Sequence, residues 1–265
     1  MLKRLSYFWG DIMPKAPLEI HEQRGYLVVK SNDLIQKSRY DLSAQESKLI
    51  LYLISKIQPD DTDFQSYTFD LKDLCSVCGI TYNGKNYRDF KEAIQPLSDR
   101  SFWIETDSKD MLCRWVSDCV IDKGETTVTV RLDYKLKPYL LQLRENFTSY
   151  QLENILVMKS KYASRLYELL LSYAYKGRYK AELPELREIL GIAPEQYKVY
   201  NNLKVRVLDV AVKEINTFTD LNVSFSLIRA GHRAAAIEFI ICHKSTAENI
   251  KALFDRQEVL NGENK

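Results

Sequence analysis

The sequence predicts an α+β fold: two tandem winged-helix domains related by internal duplication. The first observation is the stretch Tyr197–Thr219 (YKVYNNLKVRVLDVAVKEINTFT), which reads as one amphipathic helix. Leu203, Val207, Val210, Ala211, Ile215 and Phe218 recur at helical spacing and form an apolar stripe. An alternating strand (Val223–Ile228), a basic glycine turn (Arg229–Arg233, RAGHR) and a second strand (Ala236–Cys242) follow it. Helix, strand, basic turn, strand is the order of a winged helix. The second observation is a local match between Leu74–Ile80 (LCSVCGI) and Leu186–Ile192 (LREILGI). Each is a short helix closed by Gly-Ile, and a longer helix and a hairpin come after it. More than a hundred residues separate the copies, a spacing that suits two domains rather than a solenoid. The third is size: 265 residues, 45% hydrophobic and 28% charged, give each half enough chain for a small core.

In chain order, residues 1–24 carry no periodicity, are interrupted by Pro14 and Pro17, and are expected to form a flexible arm. The first domain is expected over residues 25–146. Tyr26–Lys30 reads as a strand, and Ser31-Asn32-Asp33 caps a short helix over Leu34–Ser38. Ser43 caps the next helix, although Gln45-Glu46 fits the reciprocal capping pattern only loosely. That helix turns Leu49, Ile50, Leu53, Ile54 and Ile57 inward and ends before Pro59. After an acidic loop, Tyr67–Phe69 is a strand and Asp70 caps a helix with Leu71, Leu74, Cys75 and Cys78 inward, stopped at Gly79. A helix over Tyr87–Leu97 buries Phe90, Ala93, Ile94 and Leu97, and Pro96 should kink or end it. Ser101–Glu105, Cys113–Ile121 and Thr126–Leu132 are strands, with a turn at Lys123-Gly124. Tyr134–Arg144 reads as a short helix, and the seam falls near Arg144–Tyr150.

The second domain is expected over residues 147–244. Gln151–Leu156 is a helical piece. Met158–Gly177 is a helix with Leu166, Leu169, Leu170 and Tyr173 inward. Leu183–Leu190 is a short helix before the long one. Residues 245–265 read as a polar tail or frayed helix.

A net charge of +2 does not imply nucleic acid by itself, so any DNA footprint must come from where the charges sit. On the long helix the arc opposite the apolar stripe holds Lys198, Asn202, Val205, Asp209 and Lys213, with Lys204 and Arg206 on its flanks. Arg and Asn suit base edges in a major groove, and Lys reaches phosphates. The same arc also describes an ordinary solvated face; the basic hairpin beyond it favours the DNA reading. No apolar run approaches the roughly 20 residues of a membrane span, and the N-terminus lacks a signal-peptide h-region. Five cysteines without a secretion signal suit reduced thiols and a cytoplasmic location.

Three stretches then carry a resemblance: Val28–Ile50 (VVKSNDLIQKSRYDLSAQESKLI), Phe147–Leu170 (FTSYQLENILVMKSKYASRLYELL) and Lys204–Asp220 (KVRVLDVAVKEINTFTD) with its IEFII strand. Over Tyr26–His243 the chain resembles the replication initiator (Rep) proteins of iteron-containing plasmids. The resemblance implies a C-terminal domain that dominates binding to the repeated origin sites. It implies an N-terminal domain that adds DNA contacts and forms a homodimer. It further implies origin opening, recruitment of host replication proteins such as the replicative helicase and initiator, and repression of the initiator's own gene. Carried onto this chain, it puts Asn201, Asn202, Lys204, Arg206, Asp209 and Lys213 on the recognition helix, and Lys198 just ahead of them joins the DNA-binding set. Lys159, Lys161 and Arg165 are phosphate contacts, Arg229, His232 and Arg233 the wing tip, and Lys85, Asn86, Arg88 and Lys91 a weaker set in the first domain, diluted by Asp89 and Glu92.

Catalytic chemistry is not evident. There is no GxxxxGK[ST] loop, and His21, His232 and His243 are far apart, with no His-x-His pair to hold a metal beside a nucleophilic tyrosine. Cys75 and Cys78 form a CxxC on an inward helix face, where small apolar residues belong. Phe102, Trp103 and Trp115 read as core or interface rather than a stacking platform. The expectation is a non-enzymatic initiator without cofactor, metal or membrane partner. The competing readings are a winged-helix repressor without an initiation role and, less favoured, a DNA nickase.

Overall fold

The computed structural model describes residues 24–78, 83, 85–122 and 126–261. Apart from Arg24 the expected arm lies outside them, as do Gly79, Gly84, the Lys123-Gly124 turn and residues 262–265. The first half runs β1 (Leu27–Ser31), α1 (Asn32–Lys37), β2 (Ser38–Arg39), α2 (Ala44–Ser55), β3 (Tyr67–Asp70), α3 (Leu71–Val77) and α4 (Asn86–Asp99). Strands β4 (Phe102–Glu105), β5 (Asp110–Cys113), β6 (Val116–Ile121) and β7 (Thr127–Leu132) follow. A 3-10 turn (Tyr134–Leu136) and α5 (Lys137–Leu140) lead to β8 (Phe147–Gln151), α6 (Glu153–Leu156) and α7 (Lys161–Ser172). After a second 3-10 turn (Ala174–Lys176) come β9 (Arg178–Glu182), α8 (Leu183–Ile189) and α9 (Tyr200–Leu203). A π turn (Lys204–Leu208), α10 (Asp209–Phe218), β10 (Leu221–Ala230), β11 (Arg233–His243) and α11 (Thr246–Leu260) complete the chain.

The duplication is written in the topology. In the first half, strand β3, short helix α3 and longer helix α4 precede the hairpin β6–β7, and the sheet order is β3-β7-β6. In the second, strand β9, short helix α8 and the long helix precede the hairpin β10–β11, and the order is β10-β11-β9. In both, the first strand pairs antiparallel with the last one, Thr68 with Thr129 and Lys180 with Glu238. The first copy alone inserts β4 and β5, which join β2 in a separate three-stranded sheet.

Several expectations need correction. Cys113–Ile121 is not one strand: the chain breaks at Trp115, and β5 and β6 belong to different sheets. The buried indole causes the break, since Trp115 is 2% exposed and packs against Phe102 and Tyr40. Pro96 does not end α4, which continues to Asp99; the ring removes one helical donor, but it lies in the last turn and little helix follows it. The reciprocal cap at Ser43 is complete, not loose: Ser43 Oγ accepts from the Glu46 N–H at 3.2 Å, and Glu46 accepts from the Ser43 N–H at 2.7 Å. Tyr134–Arg144 is helical only to Leu140, and Phe147–Gln151 is a strand. Strand β9 was not foreseen. Residues 246–260 are not a polar tail or a frayed helix but a docked one. A second full capping box, Ser245 with Glu248, opens it, and Ala252, Arg256 and Leu260 are buried.

β8 begins in the expected seam and pairs antiparallel with β1, from Leu27↔Gln151 to Ser31↔Phe147. The helix behind it, α7, has ten of its twelve residues buried, so both halves cover it. At the centre the Lys30 ammonium sits 2.9 Å from the Glu168 carboxylate, and Tyr150 donates its hydroxyl to the same carboxylate. Burial, and then that carboxylate, raise the Tyr150 phenol well above its ordinary range, so it remains a donor.

Candidate nucleic-acid interface

The long helix presents its outer face because its inner one is anchored. Leu203, Val207, Leu208, Ala211 and Ile215 are buried against α7 and the hairpin. The π turn places both Val207 and Leu208 inward. Val210, expected in the apolar stripe, instead points out and is 39% exposed.

The helix entry is fixed by Arg187. Its guanidinium donates to the carbonyls of Ala193, Gln196 and Tyr197 at 3.1, 2.6 and 3.2 Å. Tyr197 adopts φ 47°, and its ring meets Tyr162 of α7 edge-on at 6.3 Å. Arg187 was missed from the sequence. Its signal is a long donor side chain just ahead of a turn whose carbonyls have no ladder partner.

Asn201, Asn202, Arg206 and Lys213 are exposed, and their side chains have no intramolecular partner among the described residues. Tyr197, Lys198, Val199, Asn202 and Arg206 line one shallow groove, which brings together residues from the turn and the helix. Lys198 pairs with Glu195. Lys204 is 2.8 Å from both carboxylate oxygens of Asp209 and lies over the Phe225 ring of β10. It thereby neutralises Asp209 and fastens the helix to the hairpin.

The hairpin turns at Gly231 (φ 62°) with open space around it, and Arg229, His232 and Arg233 stand exposed at the tip. Arg229 also donates to the His232 carbonyl at 3.4 Å. At the C-terminal end of α10, Lys244 donates to the carbonyls of Asn216 and Thr219 at 2.6 and 2.7 Å, closing the helix beside the wing.

Arg165 is not a phosphate contact. It is 5% exposed, and its guanidinium donates to the Ile189 and Ser38 carbonyls and the Tyr40 hydroxyl, at 3.0, 2.9 and 2.9 Å. A phosphate cannot reach it. Lys161 is 2.6 Å from Asp41, and Lys159 is exposed. In the first half Lys85, Arg88 and Lys91 are exposed along α4; Arg88 faces Glu92 at 3.8 Å, and Lys91 lies over the Tyr87 ring. The Asn86 side chain lies outside the described part.

Phe102 and Trp115 are core, while Trp103 is 47% exposed. Among the described residues no three His, Cys, Asp or Glu side chains are placed to hold a metal, and no helix is long and apolar enough to cross a membrane. Burial raises the thiols of Cys75, Cys78, Cys113 and Cys119, the last two to about 11.

Comparison with known proteins agrees with this fold. A crystal structure of the Pi initiator protein in complex with iteron DNA superposes with a TM-score of 0.67 at 17% identity. The match covers 84% of this chain and 99% of that one, a likeness of fold. A replication initiation protein of Escherichia coli is 24% identical over 208 residues, which is 74% of this chain but only 64% of that protein. An uncharacterized 27.6 kDa protein of Escherichia coli is 24% identical over 217 residues, 77% of this chain and 90% of its own. The family model described as initiator replication protein, WH1, matches residues 27–171, and its companion, initiator Rep protein, WH2, matches 182–241. The chain therefore belongs to the plasmid replication initiator family with two winged-helix domains.

Proposed function

We propose that this chain initiates plasmid replication by binding repeated double-stranded DNA sites at an origin, without bond-making chemistry of its own. The long helix would enter the major groove and the Arg229–Arg233 tip would hold the flanking backbone. The single observation that carries the reading is the exposed set Asn201, Asn202, Arg206 and Lys213, unpartnered among the described residues, beside an exposed basic hairpin tip. Membership of the initiator family supports it. The same reading takes the first domain as an auxiliary DNA contact and homodimer surface. Origin opening, recruitment of host helicase and initiator, repression of its own gene and action in the cytoplasm belong to it as well. Lys85, Arg88 and Lys91 would touch phosphates, and Lys159 and Lys161 would do so beside the main site.

The test is a plasmid whose origin includes the DNA flanking the gene. Replication that stops when the gene is deleted, resumes when it is supplied in trans and coincides with a footprint over direct repeats supports the proposal. Replication indifferent to the gene would leave a repressor.

A further inference from the structure

The outward face of the long helix carries an oddity that charge does not explain. Val199 is 62% exposed, Val205 52% and Val210 39%, among the exposed polar residues Asn201, Asn202 and Arg206. Valine is a poor helix former, because its branched Cβ loses rotamer freedom in a helix. An exposed valine also gains nothing from burial. A surface turn selected for helix stability would hold Ala, Lys or Glu at these places. Val205 and Val210 break that rule within the helix, and Val199 breaks the matching one at its extended N-cap, where Ser, Thr, Asp or Asn is preferred; such breaks concentrate at working sites.

We propose that Val205, flanked by Val199 and Val210, reads thymine methyl groups in the major groove. The inference rests on the DNA-reading function proposed above and adds to it the chemical class of edge that is recognised. Thymine is the only one of the four DNA bases that presents a C5-methyl group there, and an apolar side chain recognises it by excluding water. Val205 has the geometry for this role. It stands exposed on the π turn beside the exposed Arg206, just after the exposed Asn201 and Asn202. Its single preferred rotamer presents two methyl groups without an ordering cost. Val199 lines the same groove as Asn202 and Arg206. Amides and guanidinium would read purine edges, and the valines would read the thymines between or beside them.

The experiment uses the full chain and the duplex repeat defined by footprinting. Each thymine in turn is replaced by deoxyuridine, which removes only the C5-methyl group. One or two positions should weaken binding by about three- to tenfold, the scale of one buried methyl contact. Val205→Ala should abolish that thymine-over-uracil difference while keeping the salt dependence of binding to unrelated DNA. Val205→Ile should keep the difference. Because Val205 lies on the surface and alanine favours helix, the variant leaves the core untouched. If the wild-type chain selects its repeat but binds every uracil-substituted duplex as tightly as the parent, the methyl-reading role is overturned and the DNA-reading function stands. A chain that does not select its repeat at all overturns both.

Discussion

At the scale of single residues, the positive side chains divide by what already holds them. Arg206 is exposed and has no partner among the described residues, while Arg165 is buried and donates to four acceptors. Arg206→Ala should lower preference for the cognate repeat roughly 10- to 150-fold, the value of one good base contact. Binding to unrelated DNA should fall much less; competition titrations with scrambled duplex measure both. Arg165→Ala should leave the salt slope unchanged but cost about 3–5 kcal/mol in urea unfolding, because a buried polar network loses its centre. Lys213→Ala, by contrast, should reduce that slope by about one without changing stability. The thiols sort in the same way. Thiolate is the reactive form, and burial raises Cys113 and Cys119 to about 11 and lifts Cys75 and Cys78 as well. Iodoacetamide at pH 8 should therefore modify the exposed Cys242 first, and the other four fully only in denaturant, as read by intact mass. Rapid modification of Cys75 or Cys78 in the folded chain would show the CxxC to be reactive rather than packed.

At the scale of elements, the sequence was most legible where one face of a helix is apolar and a cap is local. α2, α3, α4 and the hairpin β10–β11 follow from Ser43, Asp70, the spacing of buried residues and the Gly231 turn. It was least legible where a partner distant in sequence decides. β9 (RYKAE) is polar at every second position and becomes a strand because Ala236–Ile240 pairs with it. α11 looked like a tail because its anchors are few. Arg256 reaches Glu153 at 2.7 Å and the Phe218 carbonyl at 2.7 Å, and Arg24 reaches the Leu260 carbonyl at 3.5 Å. No local pattern announces those contacts. The candidate site shows the same division: Arg206 and the wing tip stood out by residue type, whereas the burial of Arg165 and the exposure of Val210 required packing to be known. Two substitutions test the elements. Ser245→Ala should remove one side of the capping box and cost about 0.5–2 kcal/mol, with the loss confined to α11 in hydrogen exchange. Gly191→Ala should cost more. Its φ is 64°, and an added Cβ would lie 2.8 Å from the Tyr40 carbonyl oxygen, so α8 could not close against the loop after β2.

At the scale of the whole molecule, the two winged-helix copies are not beads on a linker. β8 from the seam completes a sheet with β1, α7 is buried between the halves, and Gly191 packs onto Tyr40 and Asp41. The family match reflects this, since the WH1 model runs through β8 and α7 to residue 171. The Lys30–Glu168 pair lies at the crossing, with side chains 1% and 4% exposed. A buried pair of this kind contributes little net stability when both partners are present, because desolvation offsets the attraction. Removing one partner is costly, because the other charge stays buried alone. Lys30→Met should therefore lower stability by about 3–5 kcal/mol and displace both halves together in a single transition. Lys30→Met with Glu168→Gln should recover much of that loss, since the glutamine carbonyl can still accept from Tyr150. Thermal unfolding followed by circular dichroism, together with hydrogen exchange at β1 and β10, would read the outcome. If the single variant unfolded the first half while β10 and β11 kept their protection, the halves would be energetically independent. The spacing between α4 and α10 would then not be fixed by the protein's own packing.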